Sequence, residues 1–241
     1  MTDQEFIDFK CPYCTEAVSF PADTPGKIQE CPACAETLIL PQTSSEFGHK
    51  IPLPITTPRL VLRRLAGGDW KDLLEFTSDD ELFRYSEWSA MDEEQVVKWL
   101  EADKTVKLTT PDATFCLAIQ LQAGGKVIGY VSLMFIDGLR QQATFNLFVS
   151  RGFQGQGFGL EAVNALLNFC FEAISLHRVI ASFDTRNVPA RRLFEKAGMR
   201  REGEFLKDRF LNGAWVDTVW MAMLREEYAR ARSSPPPRSP A

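Results

Sequence analysis

Two cysteine pairs divide this chain before any other signal is read. Cys11-Pro-Tyr-Cys14 and Cys31-Pro-Ala-Cys34 stand 16 residues apart. That is the C-x2-C…C-x2-C spacing of a four-thiolate zinc site, in which each short turn presents two sulfurs and the two turns close a tetrahedron around one ion. A stretch of about 40 residues buries too little apolar surface to fold alone, so a metal must supply much of its folding energy. Two disulfides are the other use of such pairs. They belong to secreted chains, and the acidic start Met-Thr-Asp-Gln-Glu does not read as a secretory leader. A redox-active C-x-x-C usually occurs singly. Cys11, Cys14, Cys31 and Cys34 are therefore expected to hold a structural zinc, and the expected location is cytoplasmic. Cys116 and Cys170 lie in apolar patterns and read as buried thiols.

Charge follows the same division. Residues 1–45 carry seven acids and two bases, which accounts for the net −5 of the 241-residue chain, and the remainder balances 25 acids against 25 bases. An acidic front module on a neutral body argues against phosphate-backbone binding, so no nucleic-acid partner is expected. No apolar run approaches the roughly 18 residues of a membrane span, so none is expected to enter a membrane.

Proline-rich sequence marks the boundaries. Pro52, Pro54 and Pro58 suggest a linker over 46–56. Four prolines between Ser233 and Ala241 suggest a disordered tail over 229–241. Between them, 57–228 alternates strand and helix signals. Strands are expected over 59–65, 114–122, 126–135, 143–150, 178–184, 204–211 and 214–224. Helices are expected over 69–77, 92–102, 159–174 and 189–197, with Asp69 and Asp92 as N-caps. Asn212-Gly213 is a strong hairpin turn. The pattern is α+β with a mixed sheet.

The run Arg151-Gly-Phe-Gln-Gly-Gln-Gly-Phe-Gly159 follows a strand and opens a helix. Main-chain N–H groups at such a junction make an anion site suited to a pyrophosphate. The dinucleotide fingerprint fails at its third glycine, where Leu160 stands, and no Gly-Lys-Ser/Thr closes a P-loop. What remains, Gln154-x-x-Gly157-x-Gly159, resembles the acyl-CoA pyrophosphate loop of the GNAT N-acetyltransferases. Asn187-Val-Pro-Ala190 with Leu193-Phe-Glu-Lys-Ala-Gly-Met199 resembles a second segment of that family. Thr57-Pro-Arg-Leu-Val-Leu-Arg-Arg-Leu65, Phe83-Arg-Tyr-Ser-Glu-Trp88 and Asn212-Gly-Ala-Trp-Val-Asp217 resemble the branch that holds the ribosomal-protein N-terminal acetyltransferases. The front module resembles a zinc ribbon.

The resemblance implies a GNAT fold over 57–228, with acetyl-CoA lying where the sheet splays. Cofactor contacts would come from Phe148, Val149, Gln154, Gly155, Gln156, Gly157, Phe158, Gly159, Asn187 and Phe194. An amine would attack the thioester directly, and a main-chain N–H near Val149 would serve the oxyanion. Many members place a tyrosine general acid where this chain has Phe194. With a thiol pKa of about 8.5, the thiolate is a tolerable leaving group without one. Members of the branch often carry a glutamate where this chain has Ala143-Thr-Phe-Asn146, and neither Thr144 nor Asn146 replaces a carboxylate. Glu87 is the catalytic candidate on the acceptor side, beside Tyr85 and Trp88 as acceptor-binding residues. The expected acceptor is a primary amine: a protein N-terminus, a polyamine or antibiotic amine, or an amino-acid amine. The competing class is a zinc-ribbon adaptor that senses acyl-CoA without turnover.

Overall fold

A computed structural model describes residues 5–24 and 27–233. The front module is built from β1 (Phe6–Lys10) and β2 (Ala17–Pro21), an antiparallel hairpin, and from β3 (Ile28–Glu30), β4 (Thr37–Ile39) and β5 (His49–Lys50), a second antiparallel sheet. Each cysteine pair sits in the same knuckle. Cys11 N–H donates to Glu16 O and Thr15 N–H to Cys11 O; Cys31 N–H donates to Glu36 O and Ala35 N–H to Cys31 O. Thr15 and Ala35 both take positive φ, +65° and +59°, to close these turns.

The segment expected to be a linker belongs to both halves. Its front part is β5 of the ribbon, and its end is β6 (Ile55–Thr56), the edge strand of the large sheet. Prolines remove donors only at their own positions, so His49, Lys50, Ile55 and Thr56 remain able to pair. The large sheet continues with β7 (Leu60–Arg64), β8 (Phe115–Leu121), β9 (Val127–Phe135), β10 (Gln142–Val149), β11 (Arg178–Asp184), β12 (Arg200–Leu211) and β13 (Ala214–Leu224), in the order β12-β13-β11-β10-β9-β8-β7-β6. β12 begins four residues earlier than the sequence suggested and is irregular between Phe205 and Arg209.

Helices α1 (Trp70–Thr77), α2 (Asp80–Phe83) and α3 (Glu93–Asp103) cover one face, and α4 (Phe158–Asn168) and α5 (Val188–Lys196) cover the other. Asp92 caps α3 reciprocally with Gln95, as a capping box. Asp69 does not cap α1. Its carboxylate accepts from Ala66 N–H and from the Arg63 guanidinium instead. The α4 spiral continues as a π turn over Phe169–Ala173, whose aromatic residues Phe169 and Phe171 are fully buried. A final helix, α6 (Arg225–Ser233), corrects the expected tail: Tyr228 stacks on Phe171 and donates to Asn168 Oδ1, so the chain is ordered through 233. Residues 234–241 lie outside the described residues. Among the described residues, no helix is long and apolar enough to cross a membrane.

Among the described residues, the only parallel neighbours in the large sheet are β10 and β11. Their pairing lasts from Gln142–Arg178 to Thr144–Ile180 and then stops. β10 nevertheless stays with β9 out to Val149, and β11 stays with β13 out to Asp184. The sheet therefore splays between residues 145–149 and 181–184.

The ribbon is packed on this body. Ile28 and Ile39 join the main core with Leu60, Leu117 and Phe115. Around them, Thr109 Oγ1 donates to Glu30 Oε1 (2.6 Å), Lys107 Nζ donates to Ala35 O (2.6 Å), and Arg140 reaches both Ile28 O and Thr109 O.

Candidate active site and metal centre

The four cysteine sulfurs lie within 4.8 Å of one another, with Cys11–Cys34 and Cys14–Cys31 each at 3.8 Å. A tetrahedron of sulfurs at about 2.3 Å from zinc has edges of about 3.8 Å, far longer than a disulfide at about 2.05 Å. All four are unbridged thiols. Burial raises the Cys11 pKa, but the N–H groups of Cys14 and Tyr13 and hydrogen bonds from Cys31 and Cys14 outweigh it and bring the thiol down to about 7. The donor set fits zinc.

At the splay, register decides which main-chain groups are free. Ser150 N–H bonds Ile128 O on β9. By the alternation of an antiparallel ladder, Phe148 also faces β9, whereas Leu147 and Val149 turn their N–H and C=O into the gap. Phe148 is thus the wrong half of the expected pair. Its main chain pairs with Tyr130, and its ring is buried against Tyr130 and Phe83 at 5.1 Å each. Gly129, across from Val149, is required by this close approach: a Cβ there would meet Phe148 O at 2.2 Å.

Beyond β10 a single 3-10 turn, Arg151–Phe153, leads into the glycine loop. Gly155 and Gly157 take φ of +73° and +84°, and Gly157 is the residue from which α4 starts. The first N–H groups of that helix have no intrahelical acceptor. Together with the positive helix end they form a cradle of the kind that can accept an anion. A Cβ on Gly159 would make only ordinary contacts with Leu147 and Leu193, so packing does not require glycine there. The Gln154 and Gln156 side chains fold back on the loop, donating to Val149 O (2.8 Å) and Gly152 O (2.9 Å). The Phe158 ring lies under the Arg59 guanidinium, 4.4 Å from its Cζ, rather than open to a ligand.

Asn187 caps α5. Its Oδ1 accepts from Ala190 N–H at 3.1 Å, which commits that oxygen to the helix end. Phe194 sits beneath the splay, packed edge-on against Phe145 of β10 and tilted against Phe183 of β11. No ionisable proton stands at that position.

The segment Tyr85–Trp88 lies beside the end of β11 and the β12–β13 hairpin. The Tyr85 ring lies between the guanidinium groups of Arg84 and Arg186, Asn212 Nδ2 donates to Arg84 O, and Glu87 pairs with Arg209 at 3.3 Å. Trp88 is half exposed. Glu87 is 65% exposed and turned towards Arg209. Asp184, whose side chain is fully buried, is gripped by Arg186 through Nε and Nη2. Its burial would raise its pKa, but the Arg186 hydrogen bonds and charge hold it below the usual carboxylate range. Thr144 and Asn146 share the face of Phe148, and Ser182 accepts from Arg209. Sequence reasoning missed the Asp184–Arg186 and Glu87–Arg209 pairs, because nothing in strand spacing shows which loop closes over which strand end.

Comparison with known proteins agrees with this geometry. A family model described as an acetyltransferase (GNAT) domain matches residues 59–200. An uncharacterized N-acetyltransferase of Bacillus subtilis, YnaD, is 30% identical over 174 residues, covering 72% of this chain and 98% of its own. The spermidine N(1)-acetyltransferase of Vibrio cholerae is 25% identical over 170 residues, covering 70% of this chain and 95% of its own. A crystal structure of a GNAT-family acetyltransferase from Bacillus anthracis superposes with a TM-score of 0.66 at 26% identity, covering 72% of this chain and 99% of that one. The splayed sheet, the glycine cradle at the start of α4 and these matches lead to one statement: this chain belongs to the GNAT acetyltransferase family.

Proposed function

We propose that this GNAT acetyltransferase moves the acetyl group of acetyl-CoA to a primary amine at a protein N-terminus, and that its four cysteines hold a structural zinc. The loop from Gln154 to Gly159 would receive the pyrophosphate through main-chain N–H groups, and the main chain of Leu147 and the N–H of Val149 would pair with the amide-bearing pantetheine arm, the Val149 carbonyl being taken by Gln154 Nε2. The attacking amine would enter past Tyr85 and Trp88. The developing oxyanion would meet an N–H near Val149. With Phe194 below the thioester, the sulfur would depart as thiolate. With no carboxylate assigned as base, proton removal would fall to water near Thr144 and Asn146.

The acceptor class rests on one observation. Two carboxylates near the mouth, Glu87 and Asp184, are matched by arginines, Arg209 and Arg186. A polyamine carries several cations and needs unpaired carboxylates; a peptide N-terminus brings one amine and a polar main chain. The likeness to a spermidine acetyltransferase favours the second reading, a polyamine acceptor. Steady-state release of CoA thiol with N-terminal peptides and with spermidine separates them. Peptide turnover exceeding that of spermidine by tenfold or more is expected, and the reverse order overturns the peptide reading. CoA binding without turnover on any amine would favour a sensor. Metal analysis should find about one zinc per chain; two disulfides by mass spectrometry would defeat the metal centre. Four metal-spaced thiolates suit a reducing compartment such as the cytoplasm.

A further inference from the structure

Arg59 stands about a hundred residues before the glycine loop, at the start of β7, yet its side chain is stitched into that loop. Glu161, in the first turn of α4, accepts from Thr57 Oγ1 (2.6 Å), from Arg59 N–H (2.9 Å) and from Arg59 Nε (2.6 Å). These bonds hold the guanidinium flat on Phe158 and leave Nη1 to donate to Gln156 O at 3.0 Å. Nη2 lies 3.3 Å from where a Gly157 Cβ would stand.

The consequence comes from peptide geometry. In a trans peptide the C=O and the following N–H point in opposite directions. Holding Gln156 C=O against Arg59 therefore aims Gly157 N–H away from Arg59, outwards from the loop. Gly157, with φ of +84° and no Cβ, has little intrinsic preference between the two orientations of that peptide. Flipped, the peptide would present a carbonyl oxygen to an incoming phosphate.

We propose that Arg59, held by Glu161, is a positioning residue for the acyl donor: it fixes the Gln156–Gly157 peptide so that an N–H, and not a carbonyl, faces the pyrophosphate. This rests on the reading of Gln154 to Gly159 as the pyrophosphate cradle. It gives the Thr57-Pro-Arg59 segment a role in the site, which its position in the sequence does not reveal. Glu161 acts one step further back. Burial would raise its pKa, but the hydrogen bonds from Thr57 and Arg59 and the Arg59 charge lower it, so it stays a carboxylate and keeps the guanidinium in place.

The test compares two donors, acetyl-CoA and S-acetylpantetheine, which lacks the pyrophosphate. In Arg59→Ala the KM for acetyl-CoA should rise about tenfold or more, with kcat and the acceptor KM within twofold of the parent. The kcat/KM for S-acetylpantetheine should not change. Arg59→Lys keeps the charge but cannot bond Glu161 and Gln156 as one fork; it should fall between the two, and it carries the same comparison if Arg59→Ala does not fold. An equal loss with both donors would mean a merely structural role and overturn the proposal, as would no loss with either. Calorimetric binding of CoA and of pantetheine gives the same contrast without an acceptor. If the parent binds CoA but acetylates nothing, the transferase reading fails while the Arg59 comparison still stands; if the parent does not bind CoA, the cradle reading itself fails.

Discussion

The ribbon's hold on the transferase body can be measured at one side chain. Ile28 is fully buried and belongs to the main core, although it comes from the metal module. Ile28→Ala removes buried carbons at the joint between the two units and leaves a cavity that Leu60 and Leu117 close only in part. Large-to-small changes of this kind cost about 2–5 kcal/mol. For a chain of this size each kcal/mol moves the melting temperature by about 2–4 °C, so a fall of about 4–20 °C is expected. Leu38→Ala is the matched control, being equally buried but within the ribbon's own cluster. Differential scanning calorimetry should show one transition, shifted by Ile28→Ala. Two transitions, with only the smaller one responding to Ile28→Ala, would refute the shared core. So would a shift no larger than that of an exposed substitution. On the same reasoning, zinc chelation should lower the transition of the whole chain, because the module that loses its metal carries Ile28 and Ile39.

Three further expectations follow from the site. Gly157→Glu should weaken CoA binding at least a hundredfold by calorimetry, since it places a side chain and a negative charge where φ is +84° and a Cβ already meets Arg59; unchanged affinity would remove the loop from the cofactor site. Phe194→Tyr should leave kcat within threefold, because thiolate departs without a general acid; a tenfold rise would show that an acid was missing. Glu161 and Asp184 both have lowered folded-state pKa values, so their contributions are intact above the ordinary 4.5 and 3.8 and are lost as the pH falls through the folded values. Glu161→Gln and Asp184→Asn should therefore each flatten the acid limb of the stability curve, and an unchanged limb would contradict the pairing seen for each.

Much of this architecture was legible in the chain. The strand and helix runs from Arg59 to Leu224 were readable because apolar periodicity, the Asn212-Gly213 turn and the Asp92 cap each act locally. The cysteine spacing carried the four-thiol cluster for the same reason. What escaped was set by tertiary pairing. Proline density around Pro52 and Pro54 hid β5 and β6, which find partners in two different sheets. The prolines after Ser233 drew the expected tail back over α6, whose anchor, Tyr228, packs on a residue 57 positions earlier. Phe148 and Val149 are neighbours in sequence, and only the register against β9 shows that one faces the gap and the other does not. Arg59 and Glu161 are 102 residues apart, beyond any periodic signal.

The divergence of β10 from β11 has a consequence for solubility as well as for binding. A strand edge with free hydrogen-bonding groups is ordinarily a hazard, because another chain can add to it and begin an aggregate. Here the two free edges face each other within one sheet, and their far sides are occupied by β9 and β13. The opening is a wedge that closes where Thr144 pairs with Ile180. A protein strand bearing side chains on both faces would meet Phe194 below and Tyr85 above. The fold thus keeps an unpaired sheet edge inside the molecule, between two strands of one sheet, instead of on its outer rim.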